Sequence, residues 1–255
     1  MNTRFFLLSL SPLLATAAVH AQLLSETFSY SAGDLTTVSS AAWAAHSGAG
    51  SNPVQVNASG AAVLRGGSAE DVNRSLGSTY TDGTLWASFD LDFSTGTIAA
   101  SGVNTYVLHF KDATTGFRGR VFIGSSTAAD TDLFRLGIEN DAGDGGTAIF
   151  TSDLDRTSVH SVTVAYDITA KTSKLWVDAP TSGPATVQDT AAATSALSMS
   201  AVALRQGGSI ASTGNYTGLQ IDNLVVSYTA VPEPEEWAAI VGAGLVGFAL
   251  WRRRR

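Results

Sequence analysis

Cysteine is absent from all 255 residues, and charged residues make up only 15% of the chain. The first absence excludes disulfide stapling, thiol catalysis, Cys-ligated zinc and lipid attachment through an N-terminal Cys. Such a chain must hold itself together by burial alone, and a domain of about 200 residues is large enough for that. Scarce charge beside abundant Ser, Thr, Ala and Gly can mark disorder. Here Phe, Trp, Tyr, Leu, Ile and Val recur throughout, which a disordered stalk lacks. Positive charge is the rarer sign. Between Gln22 and Ala230 stand 10 Lys or Arg against 19 Asp or Glu, a balance of about −9. That balance repels phosphate backbones and argues against a nucleic-acid partner.

Without a lipid-bearing Cys, any anchor must lie elsewhere, and the two ends supply the signals. Met1–Arg4 is a short positive region, and Phe5–Ala18 is an apolar stretch broken only by Ser, Thr and Pro12. Val19-His20-Ala21 then places small residues at the third and first positions before a cut between Ala21 and Gln22. These parts predict a secretory signal over residues 1–21, too short and wrongly flanked for a spanning helix. At the other end, Val231-Pro232-Glu233-Pro234 can continue neither strand nor helix, since each Pro lacks an N–H and restrains its predecessor. From Trp237 to Trp251 there is no charge, and Trp stands at both limits, as at membrane interfaces. Those 15 residues give about 22 Å of helix against a hydrocarbon core of ~30 Å, a shortfall that snorkelling arginines and local thinning reduce. Gly242, Gly244 and Gly247 offer a smooth face to another helix. Arg252, Arg253, Arg254 and Arg255 set the tail on the cytoplasmic side by the positive-inside rule.

Pro-Glu-Pro, an apolar segment opening with Trp-Ala and a terminal Arg cluster, in that order, resemble the PEP-CTERM sorting signal of Gram-negative bacteria over residues 231–255. The resemblance implies exosortase, which acts near the Pro-Glu-Pro motif, as a partner beside the secretion machinery. It also implies passage across the inner membrane, a stay in that membrane through the tail, and a final place at the cell surface or outside. A permanent single-pass anchor would use the same residues.

Between the ends, strand periodicity replaces helical periodicity. In Thr84–Phe93, Leu85, Ala87, Phe89, Leu91 and Phe93 alternate with Trp86, Ser88, Asp90 and Asp92, which predicts a strand with one buried and one wetter face. Val159–Asp167 alternates likewise, and with Lys174–Asp178 it reads as a hairpin. Further strands are expected at Glu26–Tyr30, Ala61–Arg65, Asn104–Lys111, Phe117–Ile123, Leu133–Glu139, Thr147–Thr151, Val202–Gln206 and Leu219–Tyr228. Ala179–Ser200 is expected to be a long loop. The pattern predicts an all-β domain over residues 22–230, built as a two-sheet antiparallel β-sandwich. The order of an opening Glu26-Thr-Phe28-Ser-Tyr30, then TLWASFDLDF, HSVTVAYDITAKTSKLWVD and LQIDNLVVSY resembles the concanavalin/laminin-G-like jelly rolls. That resemblance implies first and last strands lying together.

Jelly rolls of this group include sugar-binding modules and glycosidases, so the acids and rings need weighing. Asp90 and Asp92 lie about 7 Å apart along one strand face, within the roughly 5–9.5 Å that paired glycosidase carboxyls require. Alternate acids on an exposed face are ordinary, however, and the Glu-x-Asp-x-x-Glu strand of laminarinase-like enzymes is missing. Asp141 and Asp144 on a Gly-rich loop could hold calcium, or could form a plain hairpin turn; Asp130 and Asp132 are a weaker version of the same pattern. His46, His109 and His160 have no metal-ligand spacing, and His109 reads as a packed or half-exposed strand residue. Trp86 and Trp176, with Tyr80 and Tyr216, could stack sugar rings, or could simply cover the second sheet face under a loop. The expected function is an exported, non-enzymatic surface or matrix protein associated with exopolysaccharide. A lectin-like module and a secreted polysaccharide hydrolase are the alternatives.

Overall fold

The alternation that starts at Thr84 becomes a nine-residue strand, Thr84–Asp92, in which every second side chain is buried. The computed structural model describes residues 20–66, 70–140, 148–193, 195–207, 210–211 and 217–230. Most of the expected signal segment, the sorting tail 231–255, Asp141, Asp144 and Tyr216 lie outside the described residues. In chain order the first strands are β1 (Ala21–Glu26), β2 (Gly33–Asp34), β3 (Ala44–Ser47), β4 (Gln55–Val56), β5 (Ala62–Leu64), β6 (Asp71–Tyr80) and β7 (Thr84–Asp92). Next come β8 (Thr97–Ile98), β9 (Asn104–Lys111), β10 (Phe117–Ser125), β11 (Leu133–Glu139), β12 (Ile149–Phe150) and β13 (Leu154–Asp155). The last are β14 (Val159–Asp167), β15 (Thr172–Val177), β16 (Val187–Asp189), β17 (Met199–Leu204), β18 (Ile210–Ala211) and β19 (Leu219–Thr229). A single helical turn, α1 (Leu35–Val38), follows β2.

These strands form two antiparallel sheets. Sheet A runs β16-β15-β14-β7-β19-β5-β4-β2, with β1 also on β19; sheet B runs β12-β11-β10-β9-β17-β6-β3, with β13 on β11. The first and last long strands pair directly, Glu26 opposite Leu224 and Ala21 opposite Tyr228. Between the sheets, Leu85, Ala87, Phe89 and Leu91 of β7 share one core with Val107 and Phe110 of β9, Val121 and Ile123 of β10, and Phe134, Leu136 and Ile138 of β11. Each such side chain, once fully buried, contributes about 1.5–3 kcal/mol, so burial replaces the missing disulfides.

Glu26 ties the two sheets together at one end. Its carboxylate is 5% exposed and accepts the Phe28 N–H at 2.7 Å, the Tyr30 hydroxyl at 2.9 Å and the Trp43 indole N–H at 3.0 Å. It also pairs with Arg74 of β6. This clamp corrects the expected strand at Glu26–Tyr30. The strand ends at Glu26, and the chain turns sharply at Phe28, whose φ is 47°. The expected loop Ala179–Ser200 is corrected too, because it contains the edge strand β16 and the start of β17. Strand β17 therefore begins at Met199 rather than Val202 and ends at Leu204. The ten-residue β6 had no alternating signal: DVNRSLGSTY is mostly polar and carries Gly77 at φ +79°.

Candidate functional site

Trp86 and Trp176 start on separate strands and meet on the outer face of sheet A. Trp86 stands opposite Ala165 of β14, which in turn stands opposite Lys174 of β15. Ala165 is small enough for the Trp86 indole to lie across β14, and the two indole rings stack at 5.6 Å and 29°. Their environments differ. Trp176 is 4% exposed, and its N–H donates to the Gly183 carbonyl at 3.1 Å, so the 179–186 loop covers it. Trp86 is half-buried, and its indole N–H finds no acceptor among the described residues.

The Trp86 ring joins two depressions. One, of about 410 Å³, is lined by Trp86, Trp176, Lys174, Thr181, Pro184 and Gln188 among others. Its neighbour, of about 120 Å³, adds Thr84, Asp167 and Thr172. Thr84 and Asp167 also border a third, of about 370 Å³, that reaches Thr229 and Ala230. An aromatic floor with hydroxyl, amide, carboxylate and ammonium groups on its rim provides what an amphipathic ring ligand requires. The imidazole of His20 lies 5.1 Å from the Trp86 ring, on the signal side of the expected cut.

Further along sheet A the outer face is acidic. Asp90, Asp92 and Asp222 share a depression of about 210 Å³ with Ser59 and Gln220. Asp222 of β19 stands directly opposite Asp90 of β7. Burial, and then the neighbouring Asp90 charge, push the Asp222 carboxyl above its usual range, against the Asn223 backbone N–H it accepts. Asp90 accepts the Asn223 side-chain amide at 2.8 Å, and Asp92 accepts the Ser94 N–H at 2.7 Å. Elsewhere, Asp132 is engaged by Arg156 at 2.9 Å. Among the described residues no group of three His, Cys, Asp or Glu is placed to hold a metal ion.

The outer face of sheet B carries a cluster that no sequence motif announced. A bulge in β10 separates Arg118 from Val121, and Gly119 sits there at φ +57°. A Cβ at Gly119 would stand 3.2 Å from the Tyr166 Cβ and 3.3 Å from the Phe110 ring, so this position faces the core. The bulge sets Arg120 over the outer face, 5.4 Å from the Tyr106 ring, 5.5 Å from the Phe122 ring and 3.0 Å from the Glu139 carboxylate of β11. Arg205 covers the Tyr106 ring at 4.2 Å. His109 packs between Phe117 at 4.5 Å, Tyr106 at 5.3 Å and His46 at 5.9 Å. It is fully buried rather than half-exposed, and neither ring nitrogen has a partner among the described residues. Burial holds its pKa well below the ordinary histidine value, helped by His46 and Arg120. His46 is lowered for the same first reason. Burial also raises Tyr106, against the pull of Arg205 and Arg120.

No family model and no curated relative matches the chain. Solved structures do. The CBM2 module of the evolved Dit of Lactobacillus casei BL23 phage J-1 superposes with a TM-score of 0.53 at 10% identity, covering 84% of this chain and 98% of that one. The likeness shows the fold: a jelly-roll β-sandwich, as the order of strands implied. The carbohydrate recognition domain of Emp46p in its potassium-bound form gives 0.45 at 12% identity, covering 83% and 97%. A sialidase gives 0.46 at 13% identity over 79% of this chain, which spans only 18% of that enzyme.

Proposed function

We propose that this is an exported, non-enzymatic surface or matrix protein whose β-sandwich associates with exopolysaccharide through the Trp86 face. One observation carries the glycan reading. The half-buried Trp86 indole, stacked on Trp176, lies at the junction of polar-rimmed depressions on an otherwise acidic sheet face. Sugar rings present C–H faces to such a ring and hydroxyls to its rim. Export and sorting rest on the sequence of the two ends. In this reading the secretion machinery removes residues 1–21, exosortase acts near Val231–Pro234, and the sandwich remains at the cell surface or outside.

The signal cut has a local consequence. Cleavage between Ala21 and Gln22 removes His20 and so clears the tilted imidazole that lies against Trp86. A glycan array probed with the exported protein tests the reading. Binding to a polysaccharide that Trp86→Ala abolishes supports it, and an array with no signal sinks it. Intact-mass measurement of the same material tests the tail, since a mass retaining Trp237–Arg255 identifies a lasting anchor.

A hydrolase reading has one observation in its favour. The raised Asp222 carboxyl and its cross-strand neighbour Asp90 form the kind of carboxyl pair that glycosidases use as acid and base. Polysaccharide cleavage that Asp222→Asn abolishes would favour it over the binding module.

A further inference from the structure

The Trp86 face leaves the sheet B cluster without a role, and that cluster is centred on guanidinium groups rather than carboxylates. Arg120 and Arg205 stand beside Glu139 and Asp71 at its centre, while Lys111 and Arg135 at its margins have Asp112 and Asp153 beside them. The acids do not saturate the bases. Arg205 Nε lies 3.9 Å from Asp71, beyond hydrogen-bond distance, and its side chain remains 31% exposed. Thr105 Oγ1 accepts one Arg205 N–H at 3.0 Å. The Arg120 Nε and both His109 nitrogens are buried without partners among the described residues. Burying such groups unanswered costs about 1–3 kcal/mol each. Tyr106, Phe117 and His46 are half-buried, so they also present apolar ring surface beside the guanidinium groups.

Ring surface beside under-neutralised guanidinium selects a ligand with two properties: flat C–H faces and fixed negative charge. A neutral polysaccharide supplies only the first. The domain's acidic field opposes every polyanion at long range, nucleic acid and polyuronate alike, so the site must read its ligand through short-range contacts. We propose that the outer face of sheet B, centred on Tyr106 and Arg205, is a second binding site, specific for a carboxylate-bearing polysaccharide of the polyuronate class. Arg205, backed by Arg120, takes the carboxylate as a charge-assisted pair, and Tyr106, Phe117 and His46 contact the sugar rings. The site is separate from the Trp86 face and stands whether or not that face binds glycan.

Affinity electrophoresis tests it, with the purified full-length chain in mild detergent run through native gels containing polygalacturonate, dextran or dextran sulfate. Polygalacturonate is expected to retard the chain and dextran to leave it unchanged. Arg205→Gln, losing a charge-assisted contact, and Tyr106→Ala, losing the central ring contact, are each expected to weaken retardation about ten-fold or more. Trp86→Ala is run beside them, because it removes the ring of the other face. Both sheet B side chains are partly exposed, so melting curves will verify that the variants fold. Arg120→Gln, which also breaks a buried ion pair, is compared only at matched stability. Absence of retardation by polygalacturonate overturns the proposal, as does retardation indifferent to Arg205→Gln and Tyr106→Ala. Equal retardation by dextran sulfate shows that charge alone is read and overturns the carboxylate assignment. Loss of retardation in Trp86→Ala moves the ligand to the other face and also overturns it.

Discussion

The two outer faces of the sandwich are built from the same kind of strand and end with opposite characters. Sheet A presents Asp90, Asp92, Asp167 and Asp222 with Lys174 and a pair of stacked indoles. Sheet B presents guanidinium groups interleaved with Tyr, Phe and His rings. The difference lies in where the ladders are broken. Strands β7 and β14 pair in unbroken register from Thr84 to Asp92, so Trp86 follows the alternation, while β19 shifts against β7 only beyond Asp222, which stays opposite Asp90. On sheet B the bulge at Gly119 shifts the register of β10 against β9. Charge and rings are thereby gathered where a regular ladder would have spaced them.

The comparison can be broken most severely at Glu26, which holds the sheets together. Glu26→Ala leaves Arg74 partly buried without its partner and is expected to cost about 3–5 kcal/mol, read as a lower urea midpoint. Both faces should be lost together; a midpoint within error of the parent would show that the clamp is dispensable. Gly119→Ala is expected to cost about 1–3 kcal/mol from overpacking and a left-handed φ. The added methyl presses on Phe110 of sheet B and on Tyr166 of sheet A, so the near-ultraviolet signal of the Trp86–Trp176 pair reads how far the strain crosses the core. A change in that signal would mean the faces are coupled.

Acid should separate the faces further. His109 and His46 have folded pKa values lowered by burial, so below the unfolded histidine value of about 6.5 the unfolded chain binds protons that the folded chain refuses. Stability is then fully present above that pH and falls as pH drops through it. Thermal melts from pH 7.5 to 5 should show the loss, and His109→Gln should flatten it. The smallest stability effect is expected at Trp86→Ala, under about 1 kcal/mol for a half-exposed side chain. A larger drop would reveal the indole as structural cover rather than a contact surface.

Much of this fold was legible because burial on one side imposes a period of two. Thr84–Asp92 and Val159–Asp167 announce themselves in that way, whereas Asn104–Lys111 and Leu133–Glu139 show as short apolar segments between turn residues. Strands of two or three residues at the edges, and the polar β6, carry too few core positions to show a period. Trp86 could be placed on the wetter face from sequence, but its meeting with Trp176 depends on cross-strand register and on the smallness of Ala165. Nothing in the spacing of His46, His109, Arg120 and Arg205 brings them together; a bulge and four paired strands do. Glu26 was read as a strand residue, and its clamp with Trp43 and Arg74 depends on side chains 17 and 48 positions away.

The pairing of β1 with β19 also sets how the sandwich meets mechanical load. Ala21 and Tyr228 are neighbours at one end of an antiparallel ladder, so tension applied across these two ends peels its hydrogen bonds one after another. Tension entering at Ala230 and leaving through either outer face would run instead along β19. That strand is flanked by β7 and β1, and sliding it requires many bonds to break at once. The same sandwich is therefore weak under tension between Ala21 and Ala230 and strong under tension between Ala230 and either outer face.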